Sequence, residues 1–313
     1  MRNKRLPRQN RYIYLAPIQT ATISITTPQP PRDIVNNNNN MSSYLPSSHG
    51  GHKRLPERPE PNLVQRMVNR APWKQHFVAT LGEFVGTFQF LFFGNATHLM
   101  IIDLAAQSPT PKLLQVVFVG YGYGFSLLVN AWAFYRISGG LFNPAITLGL
   151  CLAGKLPWIR LFFYVPAQLA GGVLAGALCQ GLFPGDFSGT ITKIAPGMSV
   201  VRGLFGEMFL TAFLMFAILM LAGEKSRTSF VAPVGIGLTL FVGQLAGVFF
   251  TGGSLNPARS LGSSAAAAQF PSYHWIYWAG PGLGAIVAAI FFRILKLLDY
   301  EEANPGQDAK CEV

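Results

Sequence analysis

Two short stretches decide the architecture. The first is Ser138-Gly139-Gly140-Leu141-Phe142-Asn143-Pro144-Ala145-Ile146-Thr147-Leu148-Gly149. The second is Thr251-Gly252-Gly253-Ser254-Leu255-Asn256-Pro257-Ala258-Arg259-Ser260-Leu261-Gly262. Each is too apolar for a loop in water, and too short to cross a bilayer core, which takes roughly 20 helical residues. In both, Asn followed by Pro reads as a helix start: Asn caps, and Pro sits in the first turn, where its missing N–H costs nothing. The glycines before each Asn permit irregular backbone. Membrane depth tolerates such backbone only where protein buries it or a wet cavity faces it. A single Asn-Pro-Ala is any capped helix; two copies in register with a chain-wide repeat are far more specific.

Working outward, six apolar stretches are long enough to span, at about 76–98, 114–136, 158–180, 203–222, 230–250 and 275–297. Gly82-Glu83-Phe84 followed by Thr87 opens the first, and Gly206-Glu207-Met208 followed by Thr211 opens the fourth. Each half of the chain therefore holds three spans and one Asn-Pro-Ala. With three spans per half, the second half enters the membrane from the opposite side, which is an inverted repeat. The chain reads as an all-α membrane protein: six transmembrane helices plus two re-entrant half-helices in an inverted 3+3 arrangement. The half-helices dip from opposite faces and their positive N-terminal ends meet at the centre. There, two Asn amides would donate to a passing neutral molecule, while a cation would meet a positive field and lose its hydration.

The chain of 313 residues is half apolar, and only 12% of it is charged, about half the usual share of a soluble domain. Residues 1–74 hold twelve Lys/Arg against three acids, a balance of +9 that accounts for most of the total of +11. The basic character thus belongs to a tail and is no sign of nucleic-acid binding. Ten of the 22 prolines fall in residues 1–72, with the run Asn36 to Asn40, so 1–74 reads as a disordered basic arm without a signal peptide. The channel-like domain is 75–298, with one repeat at about 75–180 and the other at about 200–298; residues 299–313 form a short C-terminal tail. Lys74, Lys155, Arg160, Lys225 and Arg227 all fall on one side of six spans, which makes that side, with both termini, cytoplasmic. Cys151, Cys179 and Cys311 give no metal or disulfide spacing. Neither a cofactor nor a metal site is expected. Asn95-Ala96-Thr97 is a glycosylation sequon too near the membrane to be used.

The double motif resembles the aquaporin, or major intrinsic protein, family, over about residues 75–298. Its fungal members are most similar, through Trp132-Ala133-Phe134-Tyr135-Arg136, Glu224-Lys225 and His274-Trp275-Ile276-Tyr277-Trp278-Ala279-Gly280-Pro281. The resemblance implies a homotetramer in the lipid bilayer with one pore per subunit. It also implies that Asn143, Pro144, Ala145, Asn256, Pro257 and Ala258 line the pore centre, and that Glu83 and Glu207 are buried supports of the re-entrant loops. Arg259 would stand in an outer constriction. That position fits its expense, since a charge at the bilayer centre costs about 2.5–3.5 kcal/mol or more unless solvated or paired. By counting from the two Asn residues, Tyr123, Gln244 and Gly253 complete the constriction.

Water-selective members usually carry Phe, His, Cys or a small residue, and Arg at these four positions, and many have a His where Leu141 stands. Gln244 and Gly253 depart from that pattern and leave room for glycerol, hydrogen peroxide or other small neutral solutes. Ser260, where glycerol-conducting members have Asp, and Tyr277-Trp278, where they tend to Pro-Leu, favour water. The expected activity is passive water conduction across the plasma membrane, with an intracellular membrane as the alternative. A secondary transporter shares inverted repeats and broken helices, but needs a titratable group in an exposed site, and Glu83 and Glu207 are the only candidates. An enzyme is not expected, because none of the five His residues pairs with a plausible acid and nucleophile. The length of the tail raises the expectation that a segment around 61–73 packs under the cytoplasmic pore mouth.

Overall fold

The computed structural model describes residues 72–108, 111–224, 226 and 229–306. The expectations for the basic arm, and for a segment around 61–73 under the pore, lie outside the described residues apart from Pro72 and Trp73.

Among the described residues, eight α-helices carry the structure: α1 (Pro72–Gln107), α2 (Lys112–Phe134), α3 (Pro144–Leu152), α4 (Trp158–Leu182), α5 (Val200–Ile218), α6 (Ala232–Thr251), α7 (Pro257–Ala266) and α8 (Ile276–Leu297). Six are long and apolar enough to cross a membrane, with α5 continued to Gly223 by a π turn over Leu219–Gly223. The two others, α3 and α7, have nine and ten residues and reach only about half of the bilayer core at 1.5 Å per residue. The spans lie where the apolar stretches place them, except that α1 runs nine residues past its expected end. Asn95 and His98, polar residues near that expected end, are buried along the inner face of α1 and do not interrupt it.

The packing repeats with the symmetry of the sequence. Helix α1 packs on α4 and α2 as α5 packs on α8 and α6; α7 packs on α4 as α3 packs on α8; and α2 meets its counterpart α6 across the pseudo-two-fold axis. Six crossings put the start of α1 and the end of α8 on the same face, here called the terminal face. Both short helices need close neighbours, and glycine supplies the room. A Cβ on Gly172 of α4 would stand 2.5 Å from the carbonyl oxygen of Ala258, and one on Gly262 of α7 would stand 2.3 Å from that of Gly172. The small-residue face of α4 is thus a seat for α7, with Gly171 turned instead toward α1.

On the terminal face, Glu224 forms an ion pair with Lys155 at 2.7 Å and accepts from Lys296 at 2.8 Å, and Lys296 also pairs with Glu301. These pairs join the turn after α3, the end of α5, the end of α8 and the segment beyond it. Charge complementarity therefore holds both repeats together at this face.

Candidate functional site

The two Asn residues meet. Asn143 has extended backbone (φ −153°) and its Oδ1 accepts from the Ala145 N–H at 2.9 Å; Asn256 matches it (φ −152°), accepting from Ala258 at 2.9 Å. Each also reaches across to the opposite loop. Asn143 Nδ2 donates to the Leu255 carbonyl at 2.7 Å, and Asn256 Nδ2 donates to the Phe142 carbonyl at 2.9 Å. An amide has two N–H donors, so each Asn keeps one for the lumen that both residues line. The carbonyls are presented because Phe142 and Leu255 hold left-handed backbone, φ +52° and +50°. Such conformations cost about 1–3 kcal/mol each and persist only where the surroundings over-determine them.

Two carboxylates do so. Glu83 is fully buried and accepts from the N–H groups of Leu141 at 3.0 Å and Phe142 at 2.7 Å, with Gln168 Nε2 donating at 2.7 Å. Glu207, equally buried, accepts from Ser254 at 2.9 Å, Leu255 at 2.8 Å and the Thr251 hydroxyl at 2.6 Å. Each carboxylate accepts three hydrogen bonds, two of them from the loop backbone, and neither is among the residues that line the lumen. The tyrosines Tyr164 and Tyr277 repeat the symmetry, donating to the carbonyls of Ser138 and Thr251, each at 2.9 Å.

Toward the face opposite the termini, Tyr123, Gln244 and Arg259 line the cavity, with Gly253 beside Gln244. Arg259 is 2% exposed; its Nη1 donates to the Thr190 carbonyl at 3.0 Å, and its Cζ lies 5.0 Å from the centre of the Tyr123 ring. Its Nε and Nη2 have no protein partner. Tyr123 does not aim its hydroxyl at the lumen: it donates to Asn95 Oδ1 at 2.6 Å. Gln244 folds back on Gly253, donating from Nε2 to the Gly253 carbonyl at 2.8 Å and leaving Oε1 unpartnered. The structure thus brings Tyr123, Gln244, Gly253 and Arg259 together. Unpaired donors on Arg259 and an unpaired acceptor on Gln244 can each serve a solute that both donates and accepts. Ser260 sits behind this point, bonded to Thr192 at 2.9 Å and Ser254 at 2.6 Å.

A cavity of about 460 Å³ connects these parts. It runs from Tyr123, Gln244 and Arg259, past Asn143 and Asn256, to Lys155 and Arg160 on the terminal face, with Leu127, Ile146 and Leu240 among its apolar walls. An apolar bore with a few fixed polar stations lets small neutral molecules pass between partners without holding them.

The major intrinsic protein family model matches residues 71–292. The chain belongs to the major intrinsic protein family. Probable aquaporin-3 of Gibberella zeae is 50% identical over 279 residues, 88% of this chain and 96% of that protein. Aquaporin-7 of Botryotinia fuckeliana is 52% identical over 242 residues, 75% of this chain but only 53% of the relative's length. Among solved structures, the X-ray structure of the aquaglyceroporin from Plasmodium falciparum has the same fold, with a TM-score of 0.61 at 24% identity over 72% of this chain and 99% of that one. The chain is therefore a multi-pass membrane channel protein of the aquaporin fold, and not an enzyme.

Several residues of this aquaporin-family site carry no sequence signal of their own. Asn95 looked like a sequon, but it is 1% exposed and anchors Tyr123. His98 packs edge-on against the same ring, 6.1 Å between centroids. Asn95 and His98 are three apart on one helix, and that spacing, facing the bundle interior, is the one clue available. Gln168 and Thr190 become site residues only through contacts made across the fold.

Proposed function

We propose that the protein is a passive water channel that excludes ions and protons. The reciprocal bonds between Asn143 and Leu255, and between Asn256 and Phe142, carry this reading. They fix two half-helix N-termini at one point of the lumen, where two positive macrodipole ends oppose a cation and two amide donors remain for a neutral solute. Arg259, with no carboxylate partner among the described residues, adds a second positive barrier in the constriction formed with Tyr123, Gln244 and Gly253. Glu83 and Glu207 serve as supports of the re-entrant loops, since their oxygens are taken up by backbone and side-chain donors. That occupation weighs against a proton-coupled transporter.

Water is favoured over glycerol because Gln244 fills the space that Gly253 leaves. An Asp at position 260 would also have to be accommodated among the buried hydroxyls of Thr192 and Ser254. Hydrogen peroxide is a second reading: the pairing of an unpartnered acceptor on Gln244 with unpartnered donors on Arg259 suits it as well as water. The active form is a homotetramer in the plasma membrane, with the terminal face cytoplasmic, as the excess of Lys and Arg on that face supports.

Stopped-flow shrinkage of proteoliposomes, first with sorbitol and then with glycerol as osmolyte, tests the selectivity. Fast water efflux with little glycerol entry is expected; glycerol flux rivalling water flux would reject the preference.

A further inference from the structure

Beside the vestibule on the terminal face lies a second pocket, of about 500 Å³, whose described lining is Lys74, Gln75, Val78, Ile137 and Arg160. Its described lining includes two cations and one amide. No carboxylate among the described residues lies within ion-pair distance of Lys74 or Arg160. The Arg160 Nε is buried without a hydrogen-bond partner, while its guanidinium rests 5.8 Å from the centre of the Tyr164 ring. A buried guanidinium N–H left unpaired is expensive, and a planar fork of donors suits phosphate oxygens.

The rest of the pocket is apolar. Val78 and Ile137 form its walls, and Trp73 and Phe77 stand exposed in the first turns of the same helix. Trp158 and Phe162 are exposed on α4 in the same manner, as expected of rings at the headgroup level of a bilayer. Trp73 and His76 both pack on Phe163 of α4, at 6.0 Å between centroids in each case, which fixes α1 against α4 beside the pocket.

We propose that this pocket binds the phosphate headgroup of an anionic phospholipid, with Lys74 and Arg160 as its cationic partners and Val78 and Ile137 against the acyl chains. Basic pockets between transmembrane helices are suited to such headgroups. The apolar walls commit the site to a lipid over free phosphate. Arg160 also lines the pore cavity, so an occupied pocket would hold its guanidinium to the outer side and away from the lumen.

Native mass spectrometry of the purified full chain in detergent tests the site, with phosphatidylglycerol or phosphatidylcholine added and millimolar inorganic phosphate as competitor. Phosphatidylglycerol should be retained in preference to phosphatidylcholine. Lys74→Gln and Arg160→Gln should each weaken that retention about fivefold. Arg293→Gln, which removes an exposed cation of α8, should leave it unchanged. Should Arg160→Gln fail to assemble, Arg160→Lys is expected to retain the lipid, and Lys74→Gln carries the loss. Equal retention of the two lipids, an equal loss in Arg293→Gln, or displacement of the lipid by inorganic phosphate would each overturn the proposal.

Discussion

Gln244 lies folded onto Gly253: its Nε2 donates to the Gly253 carbonyl at 2.8 Å, and a Cβ built on Gly253 would stand 2.6 Å from its Oε1. The missing side chain at 253 is thus the room into which the glutamine withdraws. The two departures from the usual water-selective pattern compensate one another.

Gly253→Ala should push Gln244 off its carbonyl and into the lumen. The loss of one hydrogen bond, worth about 1 kcal/mol, corresponds to roughly a fivefold fall in water permeability if all of it opposes transit. The positive φ of +57° adds backbone strain. Gln244→Ala should do the reverse, raising glycerol entry relative to water. Stopped-flow rates of the two variants, normalised to channel number, check both expectations.

Asn95 anchors Tyr123. Asn95→Ala leaves a buried phenol O–H without its acceptor, at a cost of about 1–3 kcal/mol, read as a lower thermal midpoint of the purified protein. Because Asn95 is 1% exposed, the wild-type chain should show no mass shift on treatment with an N-glycosidase.

Glu83 and Glu207 each accept two backbone N–H groups. In Glu83→Gln or Glu207→Gln one of those donors meets an amide NH₂ instead of an oxygen, so each variant should lose about 1–3 kcal/mol of stability. Permeability should fall with it, because Phe142 and Leu255 lose the support for their left-handed backbone. The paired sites are equivalent by symmetry, so the two variants should behave alike in denaturation and flux.

The terminal-face clamp predicts an acid limit. Burial pushes the Glu224 carboxyl up, but Lys155 and Lys296 outweigh it and hold it below its ordinary value of 4.5. A depressed carboxylate adds stability that is complete above the ordinary value and is lost as pH falls through the lowered one. Thermal melts should therefore show a constant gap of about 1 kcal/mol between wild type and Glu224→Gln above about pH 5. The gap should close only as pH falls below the ordinary carboxylate value and through the lowered one. A gap that changes between pH 6 and 8 would place the controlling titration elsewhere.

Much of the architecture was legible because it is written in local chemistry. Six apolar lengths, two Asn-Pro starts and the matched Gly-Glu pairs at 82–83 and 206–207 state the spans, the half-helices and the inversion. Contacts made across the fold were not legible. Asn143 and Leu255 are 112 residues apart, and no spacing rule pairs an amide with a carbonyl at that distance. The withdrawal of Gln244 and the anchoring of Tyr123 by Asn95 depend on the placement of α6 against the second loop, and of α1 against α2. The sequence names those residue types without their directions. The apolar length stopped short at the end of α1, which continues past Asn95 and His98 because the bundle buries both side chains.

The most direct measurement follows water and protons together in one proteoliposome preparation, by light scattering under a sorbitol gradient and by an entrapped pH-sensitive dye under a pH gradient. With Asn143 and Asn256 converging as they do, shrinkage should be much faster than in protein-free vesicles while proton entry stays at the protein-free rate. Proton entry that rises in step with water permeability would contradict a barrier built from the two half-helix ends and Arg259.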